Sequence, residues 1–243
     1  MQLRASVVAI ACASTCFACG PRAENERGAS EGPLQGRFYV SDEFAPSGHM
    51  GDGEQAGFIF ADIDERCTAD ASKGEQGPSA RAAGAGGDCY RFTYKPDLRP
   101  GADMWAGVYW VYPANNWGAL QGRTVIPPFK RIRFKAAAEP RGPDPSNPMT
   151  RIEPRVSFIV GGIGTSASDP QPFKDEISDR AVKNAYLTPQ WQDLEIDLTG
   201  FLPETPFHMI SGFGWTTNYQ PGVPTPQSPP TVIYIDDIVW DTE

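Results

Sequence analysis

Short stretches in which apolar and polar positions alternate occupy most of this chain. The alternation is clearest at residues 37–42, 89–95 and 191–198, where a period of two indicates strands with one buried face. Further apolar stretches predict strands at 56–62, 103–112, 129–137, 155–160, 181–187, 207–215 and 231–241. Essentially no helix is predicted, so the chain is expected to be an all-β, two-sheet antiparallel sandwich.

The stretch 103–118 holds the largest group of aromatic rings: Trp105, Tyr109, Trp110, Tyr112 and Trp117. A period of two places Trp105 and Tyr109 on one face of a strand, and Trp110 and Tyr112 on the other. Because a strand with one core face does not need rings on both faces, one set is expected to meet a second layer or a ligand. The alternative, that all of these rings fill a β core, remains open.

A turn follows this strand, with two amides beside an indole at Asn115, Asn116 and Trp117. A flat apolar ring flanked by amides suits a sugar, which has an apolar face and a rim of hydroxyl groups. The predicted binding surface therefore combines rings and amides from two parts of the chain: Trp105, Tyr109, Asn115, Asn116, Trp117, Trp215, Asn218 and Tyr219.

The first nineteen residues are typical of an export signal, with Arg4 followed by an apolar run at 5–13 that is too short to span a bilayer. Cys19 then precedes a polar tether at 20–36, and this arrangement resembles a bacterial lipoprotein signal, in which such a cysteine is lipidated. Cys16 is the second candidate for lipidation, and plain secretion is the third reading. The resemblance implies a lipoprotein of the outer membrane, periplasm or cell surface.

Length and composition agree with one exported β domain. The chain has 243 residues, and we assign 37–243 to a single monomeric domain. A net charge of −9 without a dense basic block argues against a nucleic-acid partner. The 25 glycines and 24 prolines are spread along the chain, as in a protein rich in turns.

Cys67 and Cys89 are the cysteines of the body, and they bracket a loop at 68–88 that is rich in Ala and Gly. In an exported protein, two such cysteines most simply form one disulfide. Closing a loop of this size stabilises the fold by roughly 3 kcal/mol in the chain-entropy picture. A metal site is the weaker alternative, because no histidine lies nearby.

The C-terminal third carries a resemblance to a known fold. The segment L-T-P-Q-W-Q-D-L-E-I-D-L-T-G-F from Leu187, a Gly-rich strand, and the closing V-I-Y-I-D-D-I-V-W-D are similar to the galactose-binding-like jelly roll. Many carbohydrate-binding modules of polysaccharide-degrading enzymes share this fold. The resemblance implies the architecture for the whole body but names no sugar, because the fold hosts many functions.

Modules of this kind often hold a structural Ca²⁺ at the edge of the sandwich. The resemblance maps Asp236 onto the terminal-strand ligand, with Asp42, Glu43 and Asp52 as the acidic residues near the first strand. Hard oxygen ligands from distant parts of the chain suit Ca²⁺. The alternative is that Asp236 or Asp237 accepts hydrogen bonds from a loop or an arginine.

No residue pattern in the chain is typical of catalysis. The two histidines, His49 and His208, lie in no nucleophile or zinc motif. Asp193, Glu195 and Asp197 form an acidic row, which is read as a solvated strand face. We therefore expect a non-catalytic protein that binds a polysaccharide or glycan. The alternatives are a sandwich-fold glycoside hydrolase or lyase that uses carboxylates such as Glu195, and a surface scaffold or protein-interaction module.

Overall fold

The computed structural model describes residues 32–51, 59–62, 67–98, 104–144, 147–166, 170–177, 180–219 and 229–243, with the backbone alone at 59–62, 143–144 and 147–151. The predicted export signal, with Cys16 and Cys19, and the predicted ligand Asp52 lie outside the described residues.

Fifteen strands and one short α-helix account for the regular structure of the described chain. The strands are β1 (Phe38–Tyr39), β2 (Ala45–Gly51), β3 (Ile59–Asp62), β4 (Tyr90–Tyr94), β5 (Trp105–Val111), β6 (Arg123–Val125), β7 (Arg131–Ala138), β8 (Pro143–Asp144), β9 (Asn147–Arg151), β10 (Arg155–Val160), β11 (Ala181–Tyr186), β12 (Gln192–Asp197), β13 (Phe207–Met209), β14 (Ser211–Asn218) and β15 (Thr231–Asp241). The helix α1 is Val40–Glu43, and a 3₁₀ turn covers Ala71–Lys73. The prediction of an all-β fold is confirmed.

The strands form two main antiparallel sheets. Sheet I has the order β12-β7-β15-β4-β3, with β1 also paired to β15. Sheet II has the order β11-β10-β14-β5-β2. Most neighbours in these sheets are not consecutive in sequence, because the chain crosses repeatedly from one layer to the other. This is the two-layer arrangement expected of a jelly-roll sandwich.

The core lies between the two sheets and is built largely from aromatic rings. From sheet II, Trp110 and Trp215 pack against Phe92 of sheet I, with ring centroids 5.5 and 5.2 Å apart. Phe213 similarly meets Phe134 at 5.0 Å. All five rings are buried, and each contributes roughly 2 kcal/mol or more of burial free energy.

The predicted strand at 37–42 is only partly correct. Phe38–Tyr39 pairs with β15, but the chain then turns into α1. The helical turn is closed by a 2.9 Å hydrogen bond from the Phe44 N–H to the Val40 carbonyl. It buries Val40 completely against the core, and this long-range packing outweighs the local strand pattern.

Two other segments differ from the prediction. The Gly-rich segment 45–51, for which no strand was predicted, forms β2 at the edge of sheet II. The segment 207–215 is not one strand, because it is interrupted at Ile210 between β13 and β14. The interruption follows from Asp175, whose Oδ1 accepts hydrogen bonds from the N–H groups of Ile210 and Ser211.

The body of the protein begins before the predicted boundary at residue 37. Leu34 is buried, its N–H donates to the Thr124 carbonyl at 2.8 Å, and its own carbonyl accepts from the Ile126 N–H at 2.8 Å. The last residues of the predicted tether are therefore docked on β6. No helix within the described part of the chain is long and apolar enough to cross a membrane.

Candidate functional site

Part of the outer face of sheet I is covered by the loop that the predicted disulfide closes. Cys67 and Cys89 are joined, which confirms that prediction. The loop between them lies over Tyr234 and Ala137 of sheet I. The Trp191 indole N–H fastens the loop from the other side by donating to the Ala80 carbonyl at 2.8 Å. The part of this face on β7 and β12 stays open, and a pocket there is lined mainly by charged side chains, among them Arg133, Lys135 and Glu195.

One end of the outer face of sheet II is also covered, by the loops at 112–122, 161–166 and 170–177. The Phe173 N–H donates to the Gly118 carbonyl at 3.0 Å, which joins the first and last of these loops. Asp175 anchors them on the sheet, since it accepts from the Ile163 N–H at 2.8 Å and from the Ser211 hydroxyl at 2.6 Å. Burial raises the pKa of Asp175, and these hydrogen bonds oppose the rise.

The other end of the outer face of sheet II carries a row of side chains that crosses four strands. Trp105 of β5 pairs with Asn218 of β14, and Arg155 of β10 pairs with Tyr186 of β11. The pairing of Val156 with Thr217 sets Arg155 beside Asn218. We call Trp105, Asn218, Arg155 and Tyr186 the ring-amide-guanidinium row. Three strand spacings amount to about 14 Å, the length of roughly three pyranose rings.

A second row of polar groups runs beside the first, two residues further along each strand. Thr216 pairs with Ser157, and Ser157 pairs with Asn184. The Ser157 hydroxyl donates to Asn184 Oδ1 at 2.6 Å, so the amide NH₂ of Asn184 remains a donor toward solvent. The face thus offers hydroxyl and amide groups next to aromatic rings, which is the combination that a sugar requires.

The two rings of the ring-amide-guanidinium row differ in exposure. Tyr186 is 62% exposed at the edge of sheet II. Trp105 is half-buried, because it lies directly against Gly51 of β2, where an added Cβ would be 2.7 Å from Trp105 Cδ2. Gly51 also has a φ of +62°. Glycine is therefore required here both by the backbone and by the indole that rests on it.

Tyr109 was predicted to bind ligand, but it is buried under the loops at the covered end of sheet II. Its ring lies on Gly214, where a Cβ would be 2.5 Å from Tyr109 Cδ1, and its hydroxyl donates to the Gly161 carbonyl at 3.0 Å. Burial raises the pKa of Tyr109 to about 12. Trp117 meets this ring edge-on at 6.3 Å and remains 39% exposed.

The two amides of the predicted turn have different environments. Asn116 is buried, and its Nδ2 donates to the carbonyls of Tyr112 and Leu120 at 2.9 and 2.8 Å. Its Oδ1 accepts from the N–H groups of Gly118 and Leu120 at 3.0 and 3.1 Å. All of its bonding capacity is used within the turn, so its assignment to ligand binding was wrong. Asn115 is exposed beside it.

Trp215 and Tyr219 were also wrongly assigned to ligand binding. Trp215 is completely buried and faces the core. Tyr219 is buried with its hydroxyl donating to the Pro229 carbonyl at 3.0 Å, and the Arg141 guanidinium lies 4.7 Å from its ring centroid. Neither ring presents a face to solvent. Asn218, the third residue predicted in this segment, is exposed in the ring-amide-guanidinium row.

The calcium site predicted at Asp236, Asp42, Glu43 and Asp52 stays a prediction, because Asp52 lies outside the described residues, but the other three carboxylates have partners within the protein. Asp236 is buried and bound by Arg81, the alternative that the sequence left open. Glu43 instead pairs with Arg123 at 3.0 Å, and Asp42 accepts a long hydrogen bond from Ser41. Across the described residues, no group of three or more acidic, histidine or cysteine side chains is placed to hold a metal.

The acidic row of β12 is the solvated strand face that the sequence indicated. Glu195 pairs with Arg131 at 3.2 Å, and Asp193 pairs with Lys135, both with cations of the neighbouring strand β7. Cross-strand ion pairs of this kind are typical of an exposed antiparallel ladder.

Sequence reasoning missed several residues on the outer face of sheet II, of which four are exposed and two, Ser157 and Thr216, are half-buried: Arg155, Ser157, Val182, Asn184, Tyr186 and Thr216. A signal was present in β11, where Val182, Asn184 and Tyr186 alternate with Ala181, Lys183 and Ala185. The second set has two small apolar residues that pack on the core. The first set therefore had to face solvent.

No protein-family profile matches the sequence, and no curated protein matches it either. Solved structures do resemble it. A family 11 carbohydrate-binding module of a cellulosomal cellulase of Clostridium thermocellum has 11% identity and a TM-score of 0.42, over 86% of this chain and 95% of that one. The same module in complex with a β-1,3-1,4-mixed-linked tetrasaccharide gives 12% identity and a TM-score of 0.35, over 88% and 92%.

A variant of a family 29 module complexed with cellulohexaose has 10% identity and a TM-score of 0.31, over 85% of this chain and 90% of that one. These are carbohydrate-binding modules. The two-sheet sandwich that the C-terminal residues predicted is confirmed by the strand order of the structure itself.

Proposed function

We propose that this chain is a non-catalytic carbohydrate-binding protein that holds a polysaccharide or glycan on the outer face of sheet II. The observation that carries the proposal is the ring-amide-guanidinium row, in which two aromatic residues flank an amide and a guanidinium on adjacent strands. The rings stack on apolar sugar faces, and the polar groups bind hydroxyls. A rigid sheet keeps these groups in place without further ordering.

The exclusion of other surfaces supports this location. The disulfide loop covers the part of the outer face of sheet I around Tyr234, and the core rings Trp110 and Trp215 are sealed between the sheets. The open part of that face, on β7 and β12, is lined mainly by charged side chains. Tyr186, by contrast, is the most exposed large hydrophobic residue of the described chain. A ring this exposed on an edge strand contributes little to the core and leaves its face available for a ligand.

We further propose that the chain is exported and anchored by a lipid on Cys19. The N-terminal sequence supports this, because the apolar run at 5–13, Cys19 and the polar tether stand in the order of a lipoprotein signal. In this arrangement the tether holds a monomeric binding domain near a membrane surface, where it captures polysaccharide.

Affinity electrophoresis against glucans, xylans and mannans tests the proposed binding. We expect at least one polysaccharide to retard the protein without being hydrolysed. Tyr186→Ala should weaken that retardation about tenfold, the value of a lost stacking contact near 1.5 kcal/mol. Leu120→Ala, which removes an exposed side chain from the loop at 112–122, is the matched control and should leave it unchanged. If none of the polysaccharides retards the protein, the result would favour a scaffold. If sugar products are released, the result would favour an enzyme.

A further inference from the structure

Charge is distributed unequally between the two sheets. None of the five strands of sheet II contains an Asp or Glu, although the chain carries a net charge of −9. Sheet I holds acidic residues on several strands, including three on β12 and three on β15. The strands of sheet II therefore repel an anion less than those of sheet I.

Arg155 is the charged residue on the open end of that face. It is exposed at the start of β10, between Asn218 and Tyr186. Within the described residues, no ion pair or hydrogen bond engages its guanidinium, and the exposed Glu153 two positions earlier makes none with it. Lys183, the other Lys or Arg of sheet II, shares the core-facing set of β11 with Ala181 and Ala185 and points away from the row.

We propose that the ring-amide-guanidinium row selects a polysaccharide that contains uronate units, which rests on the carbohydrate binding proposed above. Arg155 binds the uronate carboxylate through two parallel N–H···O bonds, and Tyr186 stacks on the apolar face of the same or the next sugar. A guanidinium matches a carboxylate in geometry as well as in charge. Asn218, on the other side of Arg155, donates to or accepts from a ring hydroxyl.

A uronate chain suits this face better than a denser polyanion. Nucleic acids require several clustered cations to neutralise their phosphates, and the described strands of sheet II offer Arg155 alone on this side. A uronate polymer carries one carboxylate per sugar, and the rest of its surface consists of sugar rings and hydroxyl groups. A single guanidinium among aromatic rings and amides matches such a ligand.

Calorimetric titration of the full chain with matched polymers tests this inference. The probes are polygalacturonate, alginate and glucuronoxylan, each compared with its carboxyl-reduced form, which keeps the chain but lacks the charge. We expect at least one acidic polymer to bind about tenfold more tightly than its reduced form. Arg155→Gln should abolish this preference. Lys183→Gln, the same change of charge on the opposite side of the neighbouring strand, should preserve it.

The outcomes separate this inference from the proposed function. Equal affinity for acidic and reduced polymers, or a preference that survives in Arg155→Gln, would overturn uronate selection and leave carbohydrate binding intact. Equal loss in Arg155→Gln and Lys183→Gln would overturn it as well, because it would indicate general charge attraction. Failure to bind every polymer, acidic or neutral, would overturn both.

Discussion

Arg81 donates hydrogen bonds to both carboxylate oxygens of Asp236, from Nη2 to Oδ1 at 2.8 Å and from Nε to Oδ2 at 3.0 Å. Asp236 lies on the central strand of sheet I and is fully buried, whereas Arg81 belongs to the disulfide loop. The same guanidinium donates to the carbonyls of Gly86 and Gly87. The ion pair thus fastens the loop to the sheet that it covers.

Arg81→Met should lower the free energy of unfolding by about 3 kcal/mol, because it leaves a buried carboxylate without its partner. Chemical denaturation measures the change. Lys73→Ala is the control, since it breaks the exposed Lys73–Asp70 pair and should cost less than about 1 kcal/mol. A similarly small loss of unfolding free energy in both variants would mean that the Arg81–Asp236 ion pair contributes little to stability.

Asn116→Ala should destabilise the protein by about 2 kcal/mol, because it leaves the buried N–H of Gly118 and the part-buried N–H of Leu120 without their acceptor. The neighbouring exposed Asn115 provides the control. It has a φ of +61°, and Asn115→Gly should change stability by no more than about 0.5 kcal/mol because glycine accepts that conformation. Thermal unfolding measures both, and an undisturbed melting temperature in Asn116→Ala would refute the structural role.

Tyr109 should make the protein sensitive to alkali. Its pKa is raised from 10 to about 12 by burial, so the folded state keeps a proton that the unfolded state releases. The stability that this group supplies is complete below pH 10 and falls as the pH rises toward 12, by up to about 1.4 kcal/mol per pH unit. Tyr109→Phe lacks the group, so its stability relative to the wild type should improve steadily over that interval in denaturation curves. A constant difference between the two proteins would contradict the burial of the hydroxyl group.

Much of the fold follows from the sequence because alternation is a local property. The segment 89–95 places Tyr90, Phe92 and Tyr94 on one side, and all three are buried as that pattern requires. The acidic row of β12 faces solvent for the same reason. Alternation also separates Trp105 from Trp110 correctly, with the first on the outer face and the second in the core.

The rest of the site depends on contacts between distant parts of the chain. Tyr109 and Trp105 share one face of β5, but the loops at 161–166 and 170–177 cover only Tyr109. No local pattern shows where those loops fold. Trp215 was misassigned because a strand was predicted to end there, whereas β14 continues to Asn218 and turns Trp215 inward. Arg155 and Tyr186 become neighbours only because β10 pairs with β11. This pairing cannot be predicted from the sequence of either strand alone.

Hydroxyl-radical footprinting with and without a bound polysaccharide tests the central claim most directly, because it reports the protection of individual side chains. If the polysaccharide binds on the outer face of sheet II, it should protect Tyr186 and Trp105 from the radical. Trp117 and Leu120, which are 39% and 56% exposed in the loop at 112–122, should react as before. Protection of Trp117 with Tyr186 unchanged would contradict the claim and place the sugar on the loop instead.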